Sequence, residues 1–212
     1  MKAEKISGLL SGCLPGRQAQ AEMCPALMRP LLKEEIPAKA VDSAVNLILR
    51  PQNGGSSFDE LLDWQILLIR RNTYRGVHSG QIALPGGKCE PGESYWQTAC
   101  RETFEEVGIA CERLEIQGAL SSIYVQPSNF VIHPFVVVCR DFGELSINPR
   151  EVVDYKLVPV LEFDPARASD RDFTYPDGSV RQSPAWVYQD YVVWGATAMI
   201  LAEFYRVLSS RP

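Results

Sequence analysis

Histidine occurs only twice in this chain of 212 residues, as His78 and His133, and none of the six cysteines stands in a C-x-x-C pair. Zinc centres draw on those two residue types at short fixed spacings, so the composition argues against one. It argues equally against a disulfide scaffold, and Cys13, Cys24, Cys89, Cys100, Cys111 and Cys139 are expected as reduced thiols in a reducing compartment. Long apolar runs are missing too, and no stretch reaches the length of a bilayer span. Leu10-Ser11-Gly12-Cys13 has the form of a lipoprotein cleavage site. The apolar stretch before it is too short, and Glu4 lies within the charged leader, so neither secretion nor lipid attachment is expected. The final Ser-Ser-Arg-Pro carries no peroxisomal address, and a cytoplasmic location is expected. Excess positive charge is absent as well. A net charge of −5 does not suit counterion-releasing contact with long nucleic acid. A small polyanion can still bind where cations are local or a metal supplies the charge.

What remains is ordinary globular composition, 46% hydrophobic and 22% charged, in a chain long enough for one domain. Residues 1–40 carry prolines at 15, 25, 30 and 37 and read as an N-terminal extension with one or two helical turns, packed on or near a single domain of residues 41–212. Alternation predicts strands at 43–49 and 64–69, with a Gly/Ser-rich loop around Asn53-Gly54-Gly55 between them. A short strand is expected at 81–84, and longer ones at about 114–122, 130–139 and 152–161. A hairpin is expected around Asp177-Gly178. Residues 94–107 read as a helix: Ser94 is a good N-cap, Gln97 stands at the capping-box position, and Gly108 suits the C-terminal stop. A last helix starts near Gly195, where Trp194, Ala198, Leu201, Tyr205 and Leu208 recur at helical spacing and predict one buried face. The pattern is that of a mixed α/β domain with helices packed against a sheet.

Chemistry concentrates in Leu84-Pro-Gly-Gly-Lys-Cys-Glu-Pro-Gly-Glu-Ser and the helix after it. Glu102, Glu105 and Glu106 stand at i, i+3 and i+4, on one face of that helix. Glutamates on a helix are ordinarily solvated surface. These three repel one another, and they lie in the last turn, where the helix dipole disfavours anions. A hard divalent cation reverses that penalty, because Mg²⁺ seeks carboxylate oxygens together with substrate phosphate. Arg101 can hold a carboxylate in place, Glu93 can reach it across the turn, and Gly86-Gly87 lets backbone approach a ligand closely.

The full constellation is Gly87, Glu93, Arg101-Glu102, Glu105-Glu106, Gly108, and it resembles the Nudix box, the signature of the Nudix hydrolase family. Thr103 departs from the pattern, which favours a bulky aliphatic residue there; it should face the core and affect packing. The resemblance implies the Nudix fold, a mixed β-sheet sandwiched between α-helices, and a metal-dependent pyrophosphohydrolase using Mg²⁺ or Mn²⁺. It implies Glu102, Glu105 and Glu106 as metal ligands or as groups that position the attacking water, and the Gly87 carbonyl as a further metal ligand. It implies Glu93 and Arg101 as a structural ion pair and Gly108 as the end of the helix. The general base is either a box glutamate or one from a later loop, for which Glu151 is the candidate; its bland alternative is a surface carboxylate.

His78-Ser79-Gly80-Gln81-Ile82-Ala83-Leu84-Pro85-Gly86-Gly87 is similar to the upstream signature of the coenzyme A diphosphatase branch of that family. Leu84 replaces the usual Phe, and the expected Arg is displaced by one residue, to Arg75. The implied substrate is coenzyme A or a derivative, cut to adenosine 3′,5′-bisphosphate and 4′-phosphopantetheine. Arg70, Arg71 and Arg75 are candidates for the extra phosphate, with a solvated strand edge as the alternative, and His78 and Gln81 for substrate contact or loop order. His133 reads as a satisfied core residue, Cys89 as an exposed modifiable thiol, and Trp96 and Phe104 as packing residues. Rival readings are a Nudix enzyme for ADP-ribose, NADH or a nucleoside triphosphate, and a non-catalytic nucleotide-sensing module. A homodimer is a possible partner state.

Overall fold

Alternation within the apolar run 43–49 becomes β1, Val41–Arg50, at the centre of the molecule. The computed structural model describes residues 2–26, 28–29, 35–52, 61–72, 80–175 and 178–209. β1 pairs in parallel with β7 (Phe130–Val138), in register from Val41↔Phe130 to Leu49↔Val138. On its other side β1 pairs antiparallel with β2 (Gln65–Arg71) and β4 (Gly86–Lys88). β2 also carries β3 (Ile82–Ala83) and β8 (Val152–Pro159), while β7 carries β5 (Glu115–Ala119) and β6 (Ile123–Val125). A parallel pair covered on both faces should read as an unbroken apolar run. Leu47-Ile48-Leu49 and Val136-Val137-Val138 are accordingly all buried.

The two faces bury different cores. Leu47, Leu49, Ile66, Leu68, Val136 and Val138 belong to one cluster, which takes in Phe204, Val207 and their neighbours on a C-terminal helix, Gly195–Ser209. Ile48, Leu67, Ile69 and Val137 belong to the other, with Cys100 and Val107 of the helix Tyr95–Val107. In chain order the helices are α1 (Lys2–Leu10), α2 (Arg17–Gln20), α3 (Tyr95–Val107) and α4 (Gly195–Ser209). The architecture is thus the expected α/β one, a mixed sheet between helices.

Several expectations are corrected. α1 runs nine residues, longer than the one or two turns expected of the extension, and lies against β5 and α4. The strand expected over 114–122 ends at Ala119, where Ser121 N–H turns to the carboxylate of Glu203 and leaves the ladder, and a separate β6 starts at Ile123. β8 stops at Pro159, and Val160–Phe163 closes into a 3-10 turn. The hairpin near Gly178 belongs to a second, three-stranded antiparallel sheet of β9 (Ser169–Thr174), β10 (Val180–Tyr188) and β11 (Tyr191–Trp194). Asp177 lies outside the described residues, as does the loop around Asn53-Gly54-Gly55. α4 is buried on nearly every side, not on one face, because α1, α2 and the second sheet cover what the main sheet does not.

Two further corrections concern side chains. Cys100 and Cys111, expected as free thiols, form a disulfide, whereas Cys13, Cys24, Cys89 and Cys139 are free. Gly108 reverses the chain after α3 and brings the Cα of Cys111 to 5.2 Å from that of Cys100, a proximity that spacing alone does not reveal. Phe104, expected to pack, is 58% exposed on α3, while Trp96 does pack, edge-on against Phe135. Among the described residues no helix is long and apolar enough to cross a membrane.

Candidate active site

α3 begins with a complete capping box, in which Ser94 accepts from Gln97 N–H and the Gln97 side chain accepts from Ser94 N–H. It ends at Gly108, whose φ of 76° is the left-handed cap that glycine adopts without strain. Both ends are therefore held, and the three glutamates project from a fixed frame. Asn46 of β1 ties the middle of α3 to the sheet by donating to Ala99 O at 3.0 Å and Thr103 Oγ1 at 2.9 Å. Thr103 is fully buried, as its position implies, and its hydroxyl has a purpose that packing alone does not give it.

Gly86 and Gly87 bring β4 against this helix with no room to spare. A Cβ on Gly86, where φ is +148°, would lie 2.3 Å from Ala44 O; a Cβ on Gly87 would lie 2.3 Å from Glu102 Oε2. Gly86 N–H donates to Glu106 Oε2 at 2.8 Å, and Arg71 Nη2 reaches Glu106 Oε1 at 3.0 Å and also donates to Gly86 O. Glu106 is only 1% exposed. Burial pushes its carboxyl up to about 7; Arg71 and Gly86 N–H oppose that rise, and the charges of Glu102 and Glu151 add to it. Burial also raises Glu102, against the pull of Arg101.

Arg101 organises the other carboxylates. It forks onto Glu93 at 2.7 and 3.0 Å, and its Nη1 bonds Glu102 at 2.8 Å and Glu105 at 3.1 Å. Glu93 also accepts from Glu90 N–H and Thr98 Oγ1, and with Arg101 as the largest cause its carboxyl falls from 4.5 to about 2. A depressed carboxylate contributes stability that is fully present above pH 4.5 and lost as pH falls toward 2. Glu93→Gln is therefore expected to flatten the acid limb of thermal stability. Melting temperature compared at pH 7 and pH 3 should drop less in the variant than in the wild type, and an equal drop would count against the pair.

The remaining candidates divide. Glu151 is exposed at the start of β8, where Asn148 Nδ2 donates to its carboxylate at 3.2 Å and Asn72 N–H donates to its carbonyl at 2.7 Å. Arg71 and Gln81 line the cavity that opens from Gly86 and Gly87. Arg70 lines it too, but it is engaged by Asp154 at 3.2 Å and by Asp190, and lies over the Tyr191 ring. Its guanidinium is thus shared with two carboxylates at the cavity edge. Arg75 and His78 lie outside the described residues. His133 is satisfied by Asp42 and Ser122 at 2.9 Å each and stacks on Tyr95. Cys89 is half-buried, and burial raises its thiol. Arg71 pairing with Glu106 could not be foreseen, since 35 residues separate them and no local pattern links them.

Residues 43–175 match the NUDIX domain family, and that span holds the whole constellation around Gly87 and Glu106. This chain belongs to the Nudix hydrolase family. Nudix hydrolase 3 of Caenorhabditis elegans is 36% identical over 100 residues, covering 46% of this chain and 42% of the worm protein. The uncharacterized Nudix hydrolase NudL of Photorhabdus laumondii is 33% identical over 141 residues, covering 64% of this chain and 73% of that protein. The mitochondrial coenzyme A diphosphatase NUDT8 of Homo sapiens is 28% identical over 138 residues, covering 62% of this chain and 57% of the human protein. The match thus spans less than half of the worm protein and less than two-thirds of the human one. A MutT/nudix family protein from Enterococcus faecalis has a TM-score of 0.51 at 18% identity, over 85% of this chain and 68% of that one, a likeness of fold.

Nudix hydrolases generally use divalent metal ions. In this Nudix hydrolase no three carboxylates converge on one point among the described residues, because Arg71 and Arg101 hold them in separate ion pairs. The donor chemistry nevertheless fits a hard cation. Glu106 and Glu102 are desolvated carboxylates held toward the protonated form, a cost that a bound cation would remove.

Proposed function

We propose that this Nudix hydrolase cleaves the diphosphate of coenzyme A, releasing adenosine 3′,5′-bisphosphate and 4′-phosphopantetheine, with Mg²⁺ or Mn²⁺ as cofactor. One observation carries the reading. Gly86, Gly87 and Glu102 line a cavity of about 1110 Å³ that continues from the box into an apolar wall. That volume lies slightly above the range of ordinary ligand pockets, in keeping with a substrate larger than a mononucleotide. The segment 81–87, similar to the coenzyme A diphosphatase signature, borders this cavity through Gln81, Ile82 and Leu84. The likeness to the human coenzyme A diphosphatase supports the same substrate.

A diphosphate resists hydrolysis because its anionic oxygens repel a nucleophile. Glu102, Glu105, Glu106 and the Gly87 carbonyl would hold the divalent cation, which when bound neutralises phosphate charge and acidifies a water molecule. The water oxygen bonds to phosphorus, the bridging P–O bond breaks, and the departing phosphate keeps the electron pair. Glu151 takes the proton from the attacking water. Arg101, anchored by Glu93, keeps Glu102 and Glu105 oriented. Gly86 N–H does the same for Glu106, and Arg71 offers a planar guanidinium beside the phosphate.

The test is hydrolysis by the full chain with Mg²⁺ or Mn²⁺, presenting coenzyme A, ADP-ribose, NADH and a nucleoside triphosphate, with products resolved by mass. Dominance of adenosine 3′,5′-bisphosphate and 4′-phosphopantetheine is the expected result; preference for another substrate would overturn the coenzyme A reading. Arg75, named from sequence, is proposed to contact the 3′-phosphate. Arg75→Ala should therefore raise KM for coenzyme A about tenfold more than for its 3′-dephospho form. Equal losses on both would remove that contact.

A further inference from the structure

The family match covers residues 43–175, yet the cavity that opens from the box is lined in part by residues on either side of that span. Cys24 and Met28 come from the N-terminal segment, and Trp194, Thr197, Met199 and Ile200 from the end of β11 and the first turns of α4. The N-terminal segment is fastened in place. Gln20, 1% exposed, donates to Oε2 of the fully buried Glu203 at 2.8 Å, and Ser121 N–H reaches Oε1 at 3.2 Å. Arg206 forks onto Glu22 at 2.9 and 2.7 Å. A buried carboxylate needs dedicated donors, and α2 supplies one of the two found here. The residues that follow α2 are thereby held against α4, where they meet the cavity.

Charge and apolar surface are segregated in that cavity. Arg70, Arg71, Lys88, Glu102 and Asp190 come from β2, β4, α3 and the turn between β10 and β11. The wall from the two outlying segments offers a thiol, two thioethers, an isoleucine and an indole. Its one hydroxyl, on Thr197, donates to Ile82 O at 3.2 Å. A second nucleoside would ask this wall for hydrogen-bond partners to base and sugar. A flexible, uncharged chain can turn its methyl and methylene groups to such a wall and its few polar groups to solvent, and methionine provides the adaptable apolar contact.

We infer that Met28 and Met199, with Cys24 and Ile200, form a subsite for the non-nucleotide half of the substrate, so that a segment outside the matched catalytic region sets specificity. The inference rests on the coenzyme A reading for the identity of that half, the phosphopantetheine arm. The test compares the full-length wild type with Met28→Lys, Met28→Gln and Met28→Leu, each first shown to melt cooperatively. Kinetics use coenzyme A and ADP-ribose, and calorimetry uses 4′-phosphopantetheine and AMP as probes. Met28→Lys should raise KM for coenzyme A and weaken 4′-phosphopantetheine by about tenfold or more, with kcat, AMP binding and the KM for ADP-ribose, whose other half is a short polar sugar phosphate, moving less than about threefold. Met28→Gln should move the same readouts in the same direction by less, and Met28→Leu should restore them. Equal effects on both probes, or no effect on either, would overturn the inference. If the wild type fails to cleave coenzyme A but its 4′-phosphopantetheine binding is lost in Met28→Lys, the substrate reading falls and the subsite stands. If coenzyme A is cleaved and Met28→Lys binds the arm normally, the subsite falls and the substrate reading stands.

Discussion

Glu106→Gln should lower kcat by about 10²–10³-fold while leaving the melting temperature in chelator within a few degrees of wild type. The amide has almost the volume of the carboxylate and its oxygen can still accept Gly86 N–H at 2.8 Å, while its N–H end cannot accept from Arg71, which keeps Gly86 O. What disappears is the negative charge of the most deeply buried member of the acidic set. The wild type should gain thermal stability as Mg²⁺ is added, because a ligand that binds only the folded chain shifts the equilibrium by mass action. In the variant that gain should vanish. Residual turnover above about a tenth of wild type, or an undiminished response to Mg²⁺, would remove Glu106 from the ligand set.

Adjacent glycines should respond to the same substitution in opposite ways. Gly86→Ala sets a methyl group 2.3 Å from the Ala44 carbonyl at a φ of +148°, and neither backbone can give way. A destabilisation of roughly 2–4 kcal/mol is expected, read as a lowered denaturation midpoint. Gly87→Ala meets the carboxylate of Glu102, also at 2.3 Å, but that group ends a flexible side chain. The chain should therefore fold to within about 1 kcal/mol of wild type. Glu102 is displaced in the process, and activity should fall about 10–100-fold. Similar midpoints for the two variants would contradict the close packing of β4 between β1 and α3.

Ser94, Gln97 and Gly108 announced both ends of α3, since caps act within a few residues of the chain they stop. The pairing of Glu93 with Arg101 was legible for a similar reason, a short span bent by one turn. Arg71 and Arg70 were harder. Both were read as candidate phosphate cations and both line the cavity, but the carboxylates they pair with, Glu106 for one and Asp154 and Asp190 for the other, come from distant parts of the chain that no local pattern connects. The Cys100–Cys111 bridge was missed because it depends on the chain reversal after Gly108, not on a spacing known to favour bonding. Thr103 was recognised as a core residue but not as a partner for Asn46, which lies on a strand 57 positions earlier. α4 was read as half-exposed, because the periodicity of a helix records its strongest face and is silent about a cover supplied by distant segments.

The parallel union of β1 with β7 has a consequence for how the molecule comes into being. Strand 41–50 is made early, yet its central neighbour is strand 130–138, and the glycines and glutamates of the box all lie in the loop that this union closes. Such long-range closure is entropically costly and slow. A nascent chain on the ribosome that has emerged only as far as α3 has the acidic residues, Arg71 and Gly86, but not β7, the parallel partner of β1. The acidic face of α3 should therefore take its final setting late in biogenesis, once β7 docks.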